Sequence, residues 1–415
     1  MKLPGPFSLK RHLLLAAGLL LGVCVFVVVR NWPTFALMYD NAVAMTEGRE
    51  VIEELRRPED LLGYIASHPE NASLVTYEVG ARDNGIFYQP EVQRPLASTP
   101  HLLLLAEYAH QAQLGQLDTS RTVPLDSLSL FSLPGISRSR HEQIKAHWRA
   151  ENLLRADSTV RIRHVVEAIA EFGDGVAADW LITTLGRNRT NALAEKWGLG
   201  NSTPPLPSSG MYLSWRKSPP QRDSLGPAPT YRTMRREAYA DHVYELTSTL
   251  RRDHSFRRQT REHLRRQGSG LGVREQRTLA RVTYPRGTAA DYADLVAGSL
   301  DGTLGSKRAA AFLREQIEIP VQTDSVSEGG RVLGTHIGSV PGMISVVGYI
   351  RFGADRPPRV LALFLEDLPI GVFYHLVQTS LDKGFLLRVL SDSSFHEEVR
   401  TRLSAGTDSL GQDSY

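Results

Sequence analysis

Residues 96–105 read LASTPHLLLL, with a serine and a histidine three positions apart at the start of an apolar run. Serine is favoured at helix N-termini and proline is tolerated in a first helical turn, so Ser98 and Pro100 predict that a helix begins here. The run that follows is apolar on nearly every side, so the helix should be buried, and Gly115 should end it. Two interpretations are open: Ser98 only caps the helix, or Ser98 is a nucleophile with His101 as its base.

The nucleophile interpretation depends on where Ser98 lies. Unpaired backbone N–H groups and the positive end of the helix dipole stabilise a developing oxyanion at a helix N-terminus. His101 lies about one turn further on, so its ring can face the Ser98 side chain. A neutral imidazole is a competent base near pH 7, whereas the capping interpretation needs no chemistry from either residue.

Composition excludes several classes of function. The chain has 415 residues, with 48 Lys+Arg against 45 Asp+Glu, so its charge is nearly balanced and demands no nucleic-acid partner. Its only cysteine, Cys24, excludes a disulfide within the chain and a cysteine-based metal site. No His-x-x-x-His spacing occurs, and we expect no metal or other cofactor.

The N-terminus predicts a membrane anchor. Leu13 to Val29 is an uncharged apolar run, long enough to approach a bilayer span. Lys2, Lys10 and Arg11 precede it, which favours an N-in, C-out orientation. A cleaved signal peptide is the alternative, but no small-x-small site follows the run. We expect a single-pass protein of the cell membrane, with residues 1–12 in the cytoplasm and the rest extracytoplasmic, in the periplasm.

The remaining pattern mixes strands and helices. Residues 30–58 predict a connecting helix, and ASLVTYEVG and GIFYQPE around ARDN predict a hairpin. Residues 160–172 have helical periodicity, GDG at 173–175 breaks it, and VAADWLITTLG resumes a helix. Residues 201–228 read as a long loop, rich in Pro, Ser and Gly.

The arginine-rich stretch 231–278 is typical of helices with a solvated face, and we favour that over a patch for phosphates or an anionic membrane. Helices follow near 289–299 and 306–317, then three strand-like segments: GRVLGTHIGSV, GMISVVGYIRFG and PRVLALFLED. A last helix is expected at 370–391, and residues 396–415 as a C-terminal tail. This order predicts an α+β fold in which N- and C-terminal strands share one antiparallel sheet beside a helical lobe.

Three segments, in this order, carry a resemblance to a known superfamily. They are PLASTPHLLLLAEYAHQAQLGQLD around Ser98, FGDGVAADWLITTLGR around Asp174 and GTHIGSVPGMISVVGYI around Gly338. Their contexts match those of the Ser-x-x-Lys, Ser-Asp-Asn and Lys-Thr-Gly motifs of serine β-lactamases and penicillin-binding proteins. The chain resembles this superfamily over about residues 60–395, with class A-like serine hydrolases the nearest. The resemblance implies a β-lactamase/transpeptidase-like domain at 59–395.

Each motif departs from the family pattern. His101 stands where the first motif has lysine, and His336 and Ile337 stand where the third has lysine and threonine. Gly173 and Gly175 replace the serine and asparagine of the second motif. The resemblance implies Ser98 as nucleophile with His101 as its base. The substrate-binding residues that it implies are His336, Gly338 and Asp174.

Two functions are compatible with these residues. The resemblance implies a serine hydrolase that acts through an acyl-enzyme on a β-lactam, a peptide or an ester. The alternative is a catalytically inactive β-lactamase-like domain that binds a cell-envelope peptide or a partner protein. The altered motifs favour the alternative unless His101 and His336 form a substitute site. The expected partners are the membrane, through the anchor, and a cell-wall peptide or β-lactam-like ligand.

Overall fold

The computed structural model describes residues 14, 16–17, 32–215, 233–305, 307–318, 332–353 and 356–410. The strands are Ala72–Glu78 (β1), Ala81–Tyr88 (β2), Arg94–Pro95 (β3), Thr122–Pro124 (β4), Thr159–Arg161 (β5), Arg286–Gly287 (β6), Val332–Val340 (β7), Met343–Arg351 (β8) and Arg359–Leu365 (β9).

The helices, in chain order, are Trp32–Ala44 (α1), Arg49–Glu54 (α2), Asp60–Ser67 (α3), His101–Gln113 (α4), Leu125–Ser129 (α5), Arg138–Ala150 (α6), Ile162–Phe172 (α7), Gly175–Leu185 (α8), Arg187–Asn191 (α9), Leu193–Lys196 (α10), Ser208–Ser214 (α11), Arg236–Arg252 (α12), His254–Gln267 (α13), Val273–Thr283 (α14), Ala289–Asp301 (α15), Lys307–Glu318 (α16), Ile370–Thr379 (α17), Leu381–Ser391 (α18) and Ser393–Leu410 (α19).

Five strands form one antiparallel sheet in the order β2-β1-β9-β8-β7. Strand β1 pairs with β2 on one side and with β9 on the other, where Val75 lies opposite Ala362. The expectation that N- and C-terminal strands share one sheet is confirmed, as is the hairpin. Strand β7 lies at the sheet edge, next to the cavity described below.

Both faces of the sheet are covered, and alternate residues divide between them as the two-residue strand period requires. Val75 and Phe364 pack into the core shared with α4 and the helical lobe. Their neighbours Leu74 and Leu363 pack on the other side against the C-terminal helices. Strand β1 is therefore buried along nearly its whole length.

Helix α4 is the central element of the helical lobe. It carries the LLLL run, and its residues are buried on every side as predicted. Gly115 follows its end with φ +68°, a conformation that glycine adopts at little cost. The start of α4 is therefore fixed in position by a helix that packs all round.

A buried arginine ties the segment before α4 to the sheet. Arg94 of β3 is 1% exposed and forms an ion pair with Glu366, with Nη1 2.8 Å from Oε1. Its Nε donates to Ser73, and its remaining donors bind the backbone carbonyls of three residues that precede or start β1: Pro69, Glu70 and Ala72. Leu96, two residues on, donates its N–H to the carbonyl of Pro285 at 2.7 Å. The chain therefore enters the Ser98 turn from a fixed point.

Several boundaries differ from the sequence prediction. The expected connecting helix at 30–58 is two helices, because the chain turns at Gly48 with φ +72°. The expected helix 370–391 is also two, α17 and α18, and Ser380 between them adopts the left-handed conformation with φ 55°. The predicted loop 201–228 contains α11, and its residues 216–228 lie outside the described ones.

The predicted C-terminal tail from residue 396 is helical instead. Helix α19 buries Phe395, Val399 and Leu403, which are spaced by four residues and so share one helix face. That face packs into the apolar cluster on the outer side of the sheet. The apolar stripe explains why this segment folds onto the domain.

The predicted anchor Leu13–Val29 lies almost entirely outside the described residues. Within the part of the chain that the structure describes, no helix combines the length and the apolarity needed to cross a bilayer.

Candidate functional site

A cavity of about 480 Å³ opens between the start of α4, the 173–175 turn, α11 and strand β7. Ser98, His101 and Asp174, which the sequence analysis selected from two separate segments, all contribute to its wall. The segments around Ser98 and around residue 336 come together although they are far apart in the chain. The three motif regions therefore border one cavity, although His336 itself does not line it.

Ser98 lies in the turn immediately before α4 and is half-buried. No side-chain hydrogen bond caps the first turn of the helix, and the Ser98 carbonyl accepts from the His101 N–H at 2.9 Å. The Ser98 hydroxyl therefore does not cap α4. The residue turns the chain into the helix with its backbone and leaves its side chain on the cavity.

The His101 ring is buried, with 8% of the residue exposed. Burial, together with the nearby His336 ring, lowers the pKa of His101 to about 3. A ring with a pKa this far below neutrality is uncharged near pH 7, but it accepts a proton weakly. Its Nδ1 finds no hydrogen-bond partner within the described residues, and no hydrogen bond joins the ring to the Ser98 hydroxyl there. The position expected of a general base is thus occupied by a buried, weakly basic ring.

This burial predicts a pH-dependent stability. A histidine in the unfolded chain binds a proton as the pH falls through about 6.5, but folded His101 does so only near pH 3. Acid therefore favours the unfolded state. From about pH 7.5 to about pH 5, His101→Gln should lose about 2 kcal/mol less stability than the wild type. Urea unfolding at both pH values measures it.

The matched control for that measurement is His254→Gln, because His254 is exposed at the start of α13. This variant should lose as much stability on acidification as the wild type does. Equal acid losses in all three proteins would show that His101 does not stay neutral in the folded state.

His336 lies beneath the Ser98 turn. Its Nε2 donates to the Ser98 carbonyl at 3.0 Å, and the residue is buried. Burial lowers the pKa of His336, opposed by the carbonyls of Ser98 and Ala170. On β7 the alternate residues Thr335, Ile337 and Ser339 line the cavity, together with Val340 at the strand end. The strand period therefore directs the residues between the first three to the other side. His336 stabilises the turn where the sequence analysis expected it to face a ligand.

Gly338 allows β7 to approach the Ser98 turn closely. A Cβ at this position would lie 2.3 Å from the backbone nitrogen of Ser98 and 3.0 Å from the Cβ of Ala97. No side chain larger than hydrogen fits between the two backbones. Close contact between strand and turn explains the glycine.

Asp174 acts as a brace. One carboxylate oxygen accepts from the N–H of Val176 at 3.0 Å and caps α8, and the other accepts from Nδ1 of His141 at 2.9 Å. All of this is buried. Gly173 before it ends α7 with φ +60°. The GDG sequence is therefore a break between two helices, with its carboxylate already engaged by protein groups.

Charged side chains that no sequence motif predicts also line the cavity. Arg140 of α6 reaches it and donates to the carbonyl of Phe172 at 3.2 Å. Lys383 of α18 and Glu171 of α7 also line it, and burial raises the pKa of Glu171 against the opposing effect of His147. None of them belongs to a motif, so only the tertiary arrangement reveals them.

Another part of the wall comes from the segment predicted as a loop. It supplies apolar and hydroxyl groups. They are Pro205, Leu206, Ser208, Met211 and Tyr212.

A known family model matches most of the chain. The model of the beta-lactamase enzyme family matches residues 56–369. A beta-lactamase from Sphaerobacter thermophilus is 14% identical, with a TM-score of 0.46 over 78% of this chain and 96% of that one. PBP-A is 13% identical, with a TM-score of 0.45 over 79% and 96%. An ancestral class A beta-lactamase is 13% identical, with a TM-score of 0.46 over 80% and 98%. No curated protein matches the chain.

Proposed function

The chain belongs to the beta-lactamase enzyme family. We propose that its domain binds a cell-envelope peptide without hydrolysing it. The observation that carries the proposal is the His101 ring. It is buried, its pKa is about 3, and it makes no hydrogen bond to the Ser98 hydroxyl. A serine hydroxyl is a weak nucleophile unless a base removes its proton, and this ring is too weak a base near neutral pH.

Neither Asp174 nor the glycines beside it replace that base. The Asp174 carboxylate already accepts hydrogen bonds from Val176 and His141. Gly173 and Gly175 have no side chain with which to pass a proton to a leaving group. Hydrolysis of an amide needs such a proton transfer, so loss of the residue-173 hydroxyl removes a second requirement.

The cavity wall supports binding of a peptide that ends in a free carboxylate. Arg140 and Lys383 bring two positive charges to it, whereas Asp174 is engaged and Glu171 is the other carboxylate among the described lining residues. An arginine recognises a carboxylate through charge-assisted hydrogen bonds. Leu206 and Tyr212 of the α11 segment offer apolar surface for the rest of the ligand.

A peptide titration tests this assignment. A short peptide with a free C-terminal carboxylate should bind better than the same peptide as its C-terminal amide. Arg140→Gln should weaken binding of the acid by about fivefold, the equivalent of ~1 kcal/mol for an exposed charge contact, and leave the amide unchanged. Calorimetric titration measures both.

Arg138→Gln is the matched control, since Arg138 lies on the same helix, is exposed and pairs loosely with Glu142 away from the cavity wall. It should bind both peptides as the wild type does. Equal affinity of the wild type for acid and amide would contradict carboxylate recognition.

A serine hydrolase is the second candidate, because the half-buried Ser98 side chain lies at a helix start on the cavity. Incubation with a fluorophosphonate or a penicillin, followed by intact-mass measurement, separates the two candidates. We expect no covalent adduct on the wild type, as on Ser98→Ala. An adduct that forms on the wild type and is absent from Ser98→Ala would establish the acyl-enzyme and reject the non-hydrolytic proposal.

We also infer a location for the domain. The apolar run Leu13–Val29, with basic residues before it, supports a single-pass anchor that places the domain outside the cytoplasm.

A further inference from the structure

Helix α1 packs against the domain through one face. The side-chain oxygen of Asn41 accepts from the N–H of Val273 at 2.9 Å, at the start of α14. Leu37 lies against Gly272, the residue before. Just beyond α1, Glu47 forms ion pairs with Arg274 and Arg277 of α14. Helix α1 is therefore held to the domain and is more than a flexible link.

The opposite face of α1 is apolar and exposed. Phe35, Met38, Tyr39 and Ala42 recur at helical spacing, and Met38 and Tyr39 are 62% and 71% exposed. With Met45 in the next turn, this part of the chain holds four of the eight large apolar side chains that are exposed among the described residues. Single exposed apolar residues are ordinary, but a cluster of this kind marks a binding surface.

The position of this face in the chain indicates what covers it. The uncharged run 13–29 ends three residues before α1 begins at Trp32. A helix with one apolar face that directly follows a bilayer-length apolar run is placed at the membrane surface. Tyrosine is enriched at that depth, because its ring is apolar and its hydroxyl remains hydrated.

Charge near α1 points to the same surface. Arg265 and Arg266, at the end of α13, are both exposed. Five residues lie between Arg266 and Gly272, so the chain keeps Arg266 within about 20 Å of the α1 contact. Arginines close to an anionic bilayer are attracted to its headgroups.

We propose that the exposed face of α1 lies in the interfacial layer of an anionic lipid bilayer, with Arg265 and Arg266 against the headgroups. Because α1 is fixed to α14, this contact sets the orientation of the whole domain relative to the membrane. The proposal is independent of whether the cavity hydrolyses or only binds its ligand.

A fluorescence experiment on the full chain tests it. Cys24→Ser removes the native thiol, and Ala42→Cys places a polarity-sensitive fluorophore within the apolar face without removing its large side chains. In phosphatidylcholine–phosphatidylglycerol vesicles the emission should shift to the blue and be largely lost when nitroxide-labelled phospholipid is added. A label at Ala146→Cys, exposed on α6, should show neither change.

Three outcomes overturn the proposal. In the first, the emission of the label at residue 42 is the same with vesicles as in water. In the second, the protein fails to float with the vesicles. In the third, the label is shielded but insensitive to the nitroxide and responds to protein concentration, which would show that a second copy of the chain covers the face.

Two substitution sets separate the apolar and charged contributions. Phe35→Ser/Met38→Ser/Tyr39→Ser should abolish quenching at residue 42. Arg265→Glu/Arg266→Glu should reduce it in the anionic vesicles, while Arg252→Glu/Arg258→Glu, nearer the other end of α13, should not. Equal effects of the two charge reversals would overturn the role of the Arg265–Arg266 pair.

Discussion

Replacing Arg94 with methionine should lower the free energy of unfolding by about 3–5 kcal/mol. The side chain is buried, and its donors satisfy the Glu366 carboxylate, the Ser73 hydroxyl and three backbone carbonyls. Methionine matches much of the length but donates no hydrogen bond. The variant therefore removes the close partner of a buried carboxylate, whose contact with half-exposed Arg281 is longer, at 3.8 Å. The desolvation cost of that carboxylate is the main source of the effect. Urea unfolding followed by circular dichroism measures the loss.

Arg82→Met is the matched control for Arg94→Met. Arg82 also pairs with a carboxylate, Asp294, but nearly half of each side chain in the pair is exposed. Surface pairs of this kind contribute about 0–1 kcal/mol, so this variant should change stability little. Similar losses in the two variants would show that burial of the Arg94 network does not determine its contribution.

Gly338→Val should be the second most damaging substitution. A Cβ at this position would lie 2.3 Å from the Ser98 backbone nitrogen, so strand β7 and the turn must separate. Overpacking costs about 1–3 kcal/mol, and we expect a value near 3 because the obstacle is backbone that no rotamer change can move. Peptide binding in the cavity should be lost together with stability, because Ile337 and Ser339 on the same strand form its wall.

Gly200→Ala serves as the comparison, because no atom lies within 4 Å of the position that a Cβ would take there. That variant should unfold within about 0.5 kcal/mol of the wild type and keep its binding. A Gly338→Val protein with wild-type stability and binding would mean that strand and turn are less closely packed than described.

Much of the fold could be predicted from local patterns. The alternation in ASLVTYEVG, the all-round apolar LLLL run and the helix break at GDG each depend on a few neighbouring residues, and each appears as expected. Helix α11 was missed because its segment is rich in Pro and Ser, although Pro207 lies directly before it. The breaks at Gly48 and Ser380, where the chain adopts left-handed conformations, were not predicted.

The candidate site was predictable in place and less so in chemistry. Ser98, His101 and Asp174, which the sequence motifs indicated, line one cavity. The basicity of His101, however, depends on its burial and on His336, more than two hundred residues later in the chain. Arg140 reaches the cavity from a helix that carries no motif. Local sequence patterns do not predict such contacts, because they form only when distant segments of the chain fold together.

The pairing of β1 with β9 has a consequence for how the domain is made. Ala72 lies opposite Leu365, so β1 has no partner on its inner edge until nearly the whole domain has been synthesised. Closing a contact across so long a loop is entropically costly and slow, and an unpaired strand edge is a site of aggregation. A nascent chain that ends before residue 359 holds the β1–β2 hairpin with its inner edge open. We therefore expect the sheet to close late, and a chaperone that shields the β1 edge during synthesis to raise the yield of folded protein.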